Sequence, residues 1–397
     1  MIKRRIAPVI EKDLKKKMVI LAGPRQCGKT TLANDIAIKW DGETVSYNWD
    51  IEEQRRQILK SQIDNKAKLW IFDELHKFRR WRNWLKGQYD QHHSKHSFFV
   101  TGSAKLDAYS RGGDSLQGRY YFHRLHPFTL AEILNRGKIL SVEEAMQMLQ
   151  PVSSGGQKTL KTLLTLGGFP EPYSSQSEQE AARWRLTYSS RIIRDEIRSL
   201  EQIQDLDRVQ LLVERLPVTV GSVLSLNSLR EDLEVAFETI RNWVNILERL
   251  YAVFRVPPFG RPRIKAVKKE QKLYFWDWAH VEKESARLEN LVAMHLLRFV
   301  HWQEDVNGEK WELRYFRDVV GHEVDFILLR KEKPYCAIEV KTESDSLDPN
   351  LKYLLERVKI PYAFQINLKG EKDWSPPSIN GSIIRIAPVA HFLAQLI

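Results

Sequence analysis

The sequence predicts an α/β protein of several domains, on the basis of three observations in different parts of the chain. Near the start, a glycine-rich loop stands between a β-leaning run and a helical pattern. The middle combines short helical patterns with a basic hairpin, and the C-terminal part follows an α-β-β-β-α-β order. With 397 residues the chain is long enough for several hydrophobic cores. We expect domains over residues 1–135, 136–210, 211–283 and 284–397.

Composition favours a globular protein with an anionic partner. Hydrophobic residues make up 43% and charged residues 28% of the chain, which is ordinary for globular proteins. The formal net charge of +11 favours an anionic polymer but does not separate DNA, RNA and anionic lipid. No apolar run approaches the roughly 18 residues of a membrane helix, and Met1–Arg5 leads into no secretory signal. Cys27 and Cys336 give no disulfide or zinc pattern. We expect a cytosolic protein without a membrane partner.

The glycine-rich loop fits the phosphate-binding pattern G-x-x-x-x-G-K-[ST] in its proper context, between the apolar run Met18–Ala22 and a helical pattern. Backbone amides in such a loop wrap closely around phosphate. The side chain of Lys29 would reach the β- and γ-phosphates, and the Thr30 hydroxyl would bind Mg²⁺. The predicted nucleotide-binding residues are Gly23, Pro24, Arg25, Gln26, Cys27, Gly28, Lys29, Thr30 and Thr31.

Polar residues end the next two predicted strands. The first strand runs into Asp73, which would hold the Mg²⁺ shell, and Glu74, which would accept a proton from the attacking water. At the end of the second strand, Ser103 is the predicted residue to orient that water, with Thr101 as the alternative. Arg119 follows, and two roles stay open for it: contact with the γ-phosphate of a neighbouring subunit, or an ion pair within its own scaffold.

Residues 211–283 have the layout of a winged helix-turn-helix. The second helix begins near Phe237 and buries Ile240, Val244 and Leu247, and a basic wing precedes the strand at Leu273. The outward residues of the helix and the basic residues of the wing would contact DNA. The predicted DNA-binding residues are Arg241, Asn242, Asn245, Arg261, Arg263, Lys265, Lys268 and Lys269, and the wing also includes Lys272. A winged helix used only for protein contacts is the alternative.

A basic and aromatic segment follows Glu74. It invites a nucleic-acid interpretation, but Phe78, Trp81, Trp84 and Leu85 share one helical face. We expect these side chains to pack in the core, with the arginines outside.

The C-terminal part carries a second catalytic pattern. Glu339 and Lys341 share one face of a predicted strand, and Asp325 lies on the strand before it. Asp325 and Glu339 would bind one Mg²⁺ or Mn²⁺ ion, with Glu289 from the preceding helix completing the outer shell. Lys341 would position water or stabilise developing charge. This is the D-x(n)-E-x-K arrangement of restriction-endonuclease-like phosphodiesterases, and both cleavage and DNA binding without cleavage stay open.

Taken together, these motifs resemble a family of bacterial and archaeal AAA-type ATPases whose C-terminal half is the domain of unknown function 4143. The resemblance implies ATP as cofactor, an oligomeric AAA-type (AAA+) core such as a hexameric ring, and a nuclease-related C-terminal domain. The matching stretches are Leu21–Leu32, Trp70–Lys77, Val100–Ser103, Gly118–Phe128, Gly167–Pro170, Leu273–Asp277, Gly321–Phe326 and Ile338–Lys341.

We therefore expect an ATP-hydrolysing enzyme that processes duplex or branched DNA. Two other functions fit the same motifs. The first is an ATP-dependent switch in defence or regulation, whose C-terminal domains bind protein partners. The second is a Mg²⁺-dependent DNA nuclease gated by ATP.

Overall fold

The computed structural model describes residues 2–102, 116–135, 140–191, 205–260, 270–344 and 346–395. The chain forms two compact units. The first contains residues 3–126 and 249–251, and the second contains residues 127–248 and 252–397. The four domain ranges expected from the sequence stay predictions. Among the described residues, no helix combines the length and the apolar character needed to cross a membrane.

The first unit is a parallel five-stranded sheet with the order β2-β3-β4-β1-β5. Its β1 and β3 are buried along their whole length, as expected for a parallel sheet covered on both faces. Because parallel strands end at the same edge, residues that follow β1, β3 and β4 lie close together. The strands are β1 (Met18–Ala22), β2 (Thr44–Asn48), β3 (Leu69–Asp73), β4 (Ser97–Gly102) and β5 (Tyr120–Arg124). The helices are α1 (Ala7–Leu14), α2 (Lys29–Lys39), α3 (Glu52–Leu59) and α4 (Trp81–His92).

The aromatic segment packs as its spacing predicts. Trp81 and Leu85 are buried in the core of the first unit, and Phe78 and Trp84 pack against the same core. The arginines at positions 79 and 80 are exposed.

Helices form the beginning of the second unit. They are α5 (Leu130–Ile133), α6 (Val142–Met148), α7 (Ser154–Leu166), α8 (Pro170–Ser175), α9 (Glu178–Arg191), α10 (Leu206–Arg215), α11 (Leu226–Asp232) and α12 (Phe237–Arg249). Side-chain oxygens cap several of them, including Thr129 before α5, Ser141 before α6, Asp205 before α10 and Ser225 before α11. The predicted apolar face of α12 is buried, including Ile240, Val244 and Leu247.

A two-stranded antiparallel ribbon follows α12. It consists of β6 (Val253–Val256) and β7 (Lys272–Phe275). Val223, which precedes α11, forms an antiparallel bridge with Lys272 and so adds a third short strand position to the ribbon. The order of elements is therefore helix, bridge, two helices and ribbon.

The second unit ends in a mixed five-stranded sheet with the order β12-β11-β10-β9-β8. Strands β8, β9 and β10 are antiparallel neighbours, whereas β10, β11 and β12 pair in parallel. The predicted α-β-β-β-α-β order is present, followed by β12 and α15, which were not predicted. The elements are α13 (Glu284–Asp305), β8 (Trp311–Arg317), β9 (Glu323–Arg330), β10 (Lys333–Lys341), α14 (Pro349–Arg357), β11 (Tyr362–Asn367), β12 (Ile383–Pro388) and α15 (Val389–Leu393).

Candidate nucleotide-binding site

The phosphate-binding loop connects β1 to α2 through backbone that favours glycine. Gly28 stands directly before α2 with φ of 96°, in the left-handed region. Gly23 opens the loop with φ of 156°, and a Cβ atom there would lie 2.4 Å from the carbonyl oxygen of Leu125. The backbone of Gly23 therefore passes too close to the residue after β5 for any side chain.

Gly23→Ala is expected to displace the loop and to lower ATP affinity at least tenfold. The new methyl group would meet a backbone oxygen that cannot rotate away, and such overpacking costs about 1–3 kcal/mol. Gly87→Ala is the matched control, because Gly87 lies within α4 and a Cβ there meets nothing within 4 Å. Calorimetric titration with ATP should separate the two variants, and equal affinity in both would contradict the tight packing inferred at Gly23.

Lys29 is held inside the loop by the loop itself. Its side chain is buried, and its ammonium group donates hydrogen bonds to the carbonyl oxygens of Gly23 (3.0 Å) and Pro24 (2.7 Å). The charge therefore stands at the carboxyl end of β1, beside the start of α2, where the helix dipole also favours an anion.

Asp73, at the end of β3, accepts hydrogen bonds from residues at the ends of β2 and β4 and at the start of α2. Its carboxylate accepts a hydrogen bond from the Thr30 hydroxyl at 2.8 Å and another from the Thr101 hydroxyl. The side-chain amide of Asn48, at the end of β2, donates to the same carboxylate at 3.4 Å. Asp73 is buried, so these bonds fix its orientation. A hydroxyl and a carboxylate oxygen side by side suit Mg²⁺. Thr30 and Asp73 could therefore hold the ion, and this role stays a prediction.

Glu74 follows Asp73 in the left-handed backbone region, with φ of 57°. Its carboxylate lies 3.2 Å from the ammonium of Lys77, which also pairs with Asp50 at 2.5 Å. Partial burial lowers the pKa of Lys77, but Asp50 and Glu74 outweigh that effect, and the pKa is raised above its ordinary value. Lys77 thus holds Glu74 at the end of β3, next to the residues predicted to bind Mg²⁺.

Ser103 and Arg119 are the two remaining residues predicted for ATP hydrolysis. Ser103 lies outside the described residues, whereas its alternative Thr101 bonds directly to Asp73. Arg119 forms two hydrogen bonds with Asp90 of α4, at 2.6 and 3.1 Å. This is the scaffold ion pair that was left open for Arg119, and its role in a neighbouring subunit stays a prediction.

Sequence reasoning missed Asn48. The sequence offers little to mark it, because Asn48 is a single polar residue at the end of β2. The strand that pairs with β2 is not adjacent to it in sequence. Only the pairing of β2 with β3, which sets Asn48 opposite Asp73, brings it to the site.

In the second unit, the residues of the D-x(n)-E-x-K pattern come together. The backbone N–H of Asp325 donates to Glu339 at 3.2 Å, and the N–H of Val340 donates to Asp325 at 2.9 Å. Lys341 pairs with Glu339 and with Asp348, at 2.7 Å each. Burial raises the pKa of Glu339 to about 7, although Lys341 opposes the change. Burial, Glu339 and Glu289 raise the pKa of Asp325.

The expectation that Lys272 belongs to an exposed wing is wrong. Lys272 is the first residue of β7 and is fully buried. Its ammonium lies 3.1 Å from Glu289, 2.5 Å from Glu323 and 3.8 Å from Asp325. Burial lowers its pKa, but the carboxylates of Glu289, Asp325 and Glu323 outweigh that effect and raise it above its ordinary value. A charged lysine therefore stands among the carboxylates predicted to bind metal.

Three family models match different parts of the chain. A family model described as an AAA domain matches residues 15–134, and one for the domain of unknown function DUF4143 matches residues 284–380. These two matches confirm the expected combination of an AAA-type domain with a C-terminal DUF4143 domain. A third model, for the domain of unknown function DUF8612, matches residues 157–282 between them.

Curated relatives of the chain are themselves uncharacterized proteins. One from Methanocaldococcus jannaschii is 27% identical, and the match covers 90% of this chain and 82% of the relative. One from Mycobacterium bovis is 22% identical, and the match covers 66% of this chain and 54% of the relative. The chain thus spans about half the length of that mycobacterial relative.

Solved structures are similar only at a low level. The RuvB Holliday junction branch migration motor of Thermotoga maritima has 16% identity and a TM-score of 0.30, with 68% of this chain and 96% of RuvB covered. Bacteroides Pif1 bound to single-stranded DNA has 15% identity and a TM-score of 0.22, with 41% and 50% covered. Scores this low add nothing to what the AAA and DUF4143 matches establish.

The cluster in the DUF4143 domain does not fit a divalent metal ion. Glu289 and Asp325, two of the three predicted ligands, face the ammonium of Lys272. The third, Glu339, accepts hydrogen bonds from Lys341 and from the backbone of Asp325. Within the described part of the chain, no group of three or more His, Cys, Asp or Glu side chains is arranged to hold a metal. Metal binding at this cluster therefore stays a prediction that the geometry disfavours.

The candidate DNA-binding helix of the DUF8612 region, α12, is not strongly basic. Arg241 is exposed but pairs with Glu238, and Asn242 is exposed. Asn245 is partly buried and accepts a hydrogen bond from Arg255 at 2.9 Å. Residues 225–249 contain three arginines and five acidic residues. The predicted wing residues Arg261, Arg263, Lys265, Lys268 and Lys269 lie outside the described residues.

Proposed function

We propose that this protein is an oligomeric motor that hydrolyses ATP and acts on duplex or branched DNA. The observation that carries the proposal is the junction at Asp73, where Thr30, Thr101 and Asn48 converge on one buried carboxylate beside Glu74. A site that only bound nucleotide would have no need of a second carboxylate directly after the first.

The residues divide the work of hydrolysis. Lys29 and the loop amides would bind the phosphates. Thr30 with Asp73 would hold Mg²⁺, which would neutralise charge on the transferred phosphoryl group. Glu74 accepts the proton of the attacking water. Thr101 and Asn48 position Asp73 through hydrogen bonds, and Ser103 is the further candidate for orienting water.

Contact with DNA is supported by the order of elements and by charge. Helix α10, the Val223 bridge, helices α11 and α12 and the ribbon follow the winged-helix order. The chain between the ribbon strands carries the basic residues from Arg261 to Lys269, in a protein of net charge +11. Lysine and arginine there would contact phosphates irrespective of sequence.

The test is the ATPase rate with and without duplex, forked and single-stranded DNA. We expect DNA to stimulate the wild type, and Lys265→Gln/Lys268→Gln/Lys269→Gln to bind DNA more weakly. The logarithmic salt dependence of binding should fall by about 1 for each phosphate that the variant no longer neutralises. The control, Lys60→Gln/Lys66→Gln/Lys95→Gln, removes the same charge from exposed sites of the first unit. Absence of both stimulation and low-salt binding in the wild type would refute the DNA part of the proposal.

A second function has one observation in its favour. The excess of acidic residues over 225–249 suits a protein partner better than DNA. In that case the protein would be a nucleotide-dependent switch, with slow ATP turnover that DNA does not change. The same ATPase measurement separates it from the motor. Arg119 would serve either function by leaving Asp90 and reaching the γ-phosphate in a neighbouring subunit.

A further inference from the structure

Glu289, Glu323 and Asp325 of the DUF4143 domain are each engaged by groups of the protein itself. Glu289 accepts hydrogen bonds from Lys272 at 3.1 Å and from the Tyr274 hydroxyl at 2.7 Å. Glu323 contacts Lys272 at 2.5 Å and Arg317 at 3.4 Å. The two oxygens of Asp325 face the Lys272 ammonium (3.8 Å) and the Val340 N–H (2.9 Å).

Lys272 belongs to the part of the chain that precedes this domain. It starts β7, pairs through its backbone with Val256 and Val223, and points its side chain toward α13 and β9. The ring of Tyr315 on β8 lies 5.5 Å from its ammonium. Tyr315 also bonds to the backbone next to both ribbon strands. Its N–H donates to the carbonyl oxygen of Pro257, directly after β6, at 3.2 Å, and its hydroxyl donates to that of Glu270, shortly before β7, at 2.8 Å.

Burial makes the lysine and the carboxylates depend on each other. A fully buried ammonium is stable only when opposite charges surround it, and buried carboxylates need a cation in turn. Three carboxylates lie within 4 Å of this ammonium. A divalent ion bound to Asp325 would need oxygen ligands at about 2.0–2.6 Å, and it would stand next to a positive charge that cannot leave for solvent.

We infer that Lys272 is the resident cation of this cluster and takes the place that a divalent metal would occupy. The cluster then locks the ribbon β6–β7 onto the sheet of the DUF4143 domain. In this state the domain does not cleave DNA by a metal-dependent route. The inference concerns the second unit alone and does not depend on ATP hydrolysis or DNA binding.

Titration of the nucleotide-free full chain with Mn²⁺ tests this inference. We expect the wild type and Asp325→Asn to bind the same number of Mn²⁺ ions, because the wild type has no Mn²⁺ site at Asp325. Lys272→Met should gain one Mn²⁺ per chain, and Lys272→Met/Asp325→Asn should lose it again. The control is Lys310→Met, because Lys310 is exposed and pairs with Glu312 and Glu332; it should gain no site. A wild-type Mn²⁺ site, or wild-type DNA cleavage, that disappears in Asp325→Asn would overturn the inference.

Thermal unfolding provides a second readout if Lys272→Met folds poorly. The variant should have a lower Tm than the wild type, and Mn²⁺ should raise that Tm while leaving the wild-type Tm unchanged. If the variant does not fold at all, Lys272→Met/Glu323→Gln replaces it, since this pair of changes removes one of the carboxylates left without a cation. A folded Lys272 variant that neither gains Mn²⁺ nor loses stability would show that Lys272 is not the cation of the cluster.

Discussion

Glu74→Gln is expected to lower the ATP hydrolysis rate by about 10²–10⁴-fold while leaving ATP affinity unchanged. The amide keeps the size of the side chain but cannot accept a proton from water, and a general base contributes a factor of that order. Binding should persist, because Lys29, Thr30 and Asp73 would hold the nucleotide and its magnesium without Glu74. Phosphate release under saturating ATP measures the rate, and calorimetric titration measures the affinity.

Glu52→Gln is the control for this prediction. Glu52 lies on α3 of the same unit, is largely exposed and pairs with Arg56, so its loss should change neither quantity. A Glu74→Gln rate within about threefold of wild type would contradict the assignment of Glu74 as the base, since a base contributes far more. The base would then have to be sought elsewhere at the strand ends.

Lys29→Met is expected to weaken ATP binding by about 10²–10⁴-fold. The ammonium would make two or more charge-assisted hydrogen bonds to phosphate, each contributing about 1.5–3 kcal/mol. Methionine keeps most of the buried aliphatic part of the side chain, so the loss of ATP affinity measures the contribution of the charge. Isothermal titration calorimetry of the purified variant gives the affinity directly.

Lys39→Met provides the comparison, because Lys39 ends the same helix and is exposed. It should bind ATP with wild-type affinity and lose at most a few tenths of a kcal/mol of stability through the helix dipole. Circular dichroism of both variants should show wild-type secondary structure. A Lys29→Met protein that is folded and binds ATP as tightly as wild type would remove the basis for the nucleotide site.

Local patterns in the sequence predicted the elements of the nucleotide site well. The run from Met18 to Thr30 contains its own strand, loop and helix start, and each depends on neighbours within a few residues. The apolar run before Asp73 and Glu74 likewise predicts a buried strand from its own residues. The strand pairs with others that are distant in sequence, so the convergence of Thr30, Thr101 and Asp73 followed only from the general rule that parallel strands end at one edge.

Charge was the least informative part of the sequence. The sequence predicts contact with DNA for Arg241 and Lys272, and contact with a γ-phosphate is one of the two roles that it leaves open for Arg119. The structure pairs each of the three with a carboxylate. A sequence displays the sign of a side chain but not its partner, because an ion pair is made between residues whose separation in the chain is arbitrary.

The sequence by itself determined the AAA-type loop, the strand that ends in Asp73 and Glu74, and the strand order that sets Asp325 beside Glu339. These features follow from short-range hydrophobic patterning and from backbone requirements at single glycines. Only the tertiary structure decided that Asn48 reaches Asp73 and that Lys272 fills the centre of the second carboxylate cluster. Both depend on the pairing of strands from distant parts of the chain. Burial then requires each charged side chain to contact a group of opposite charge.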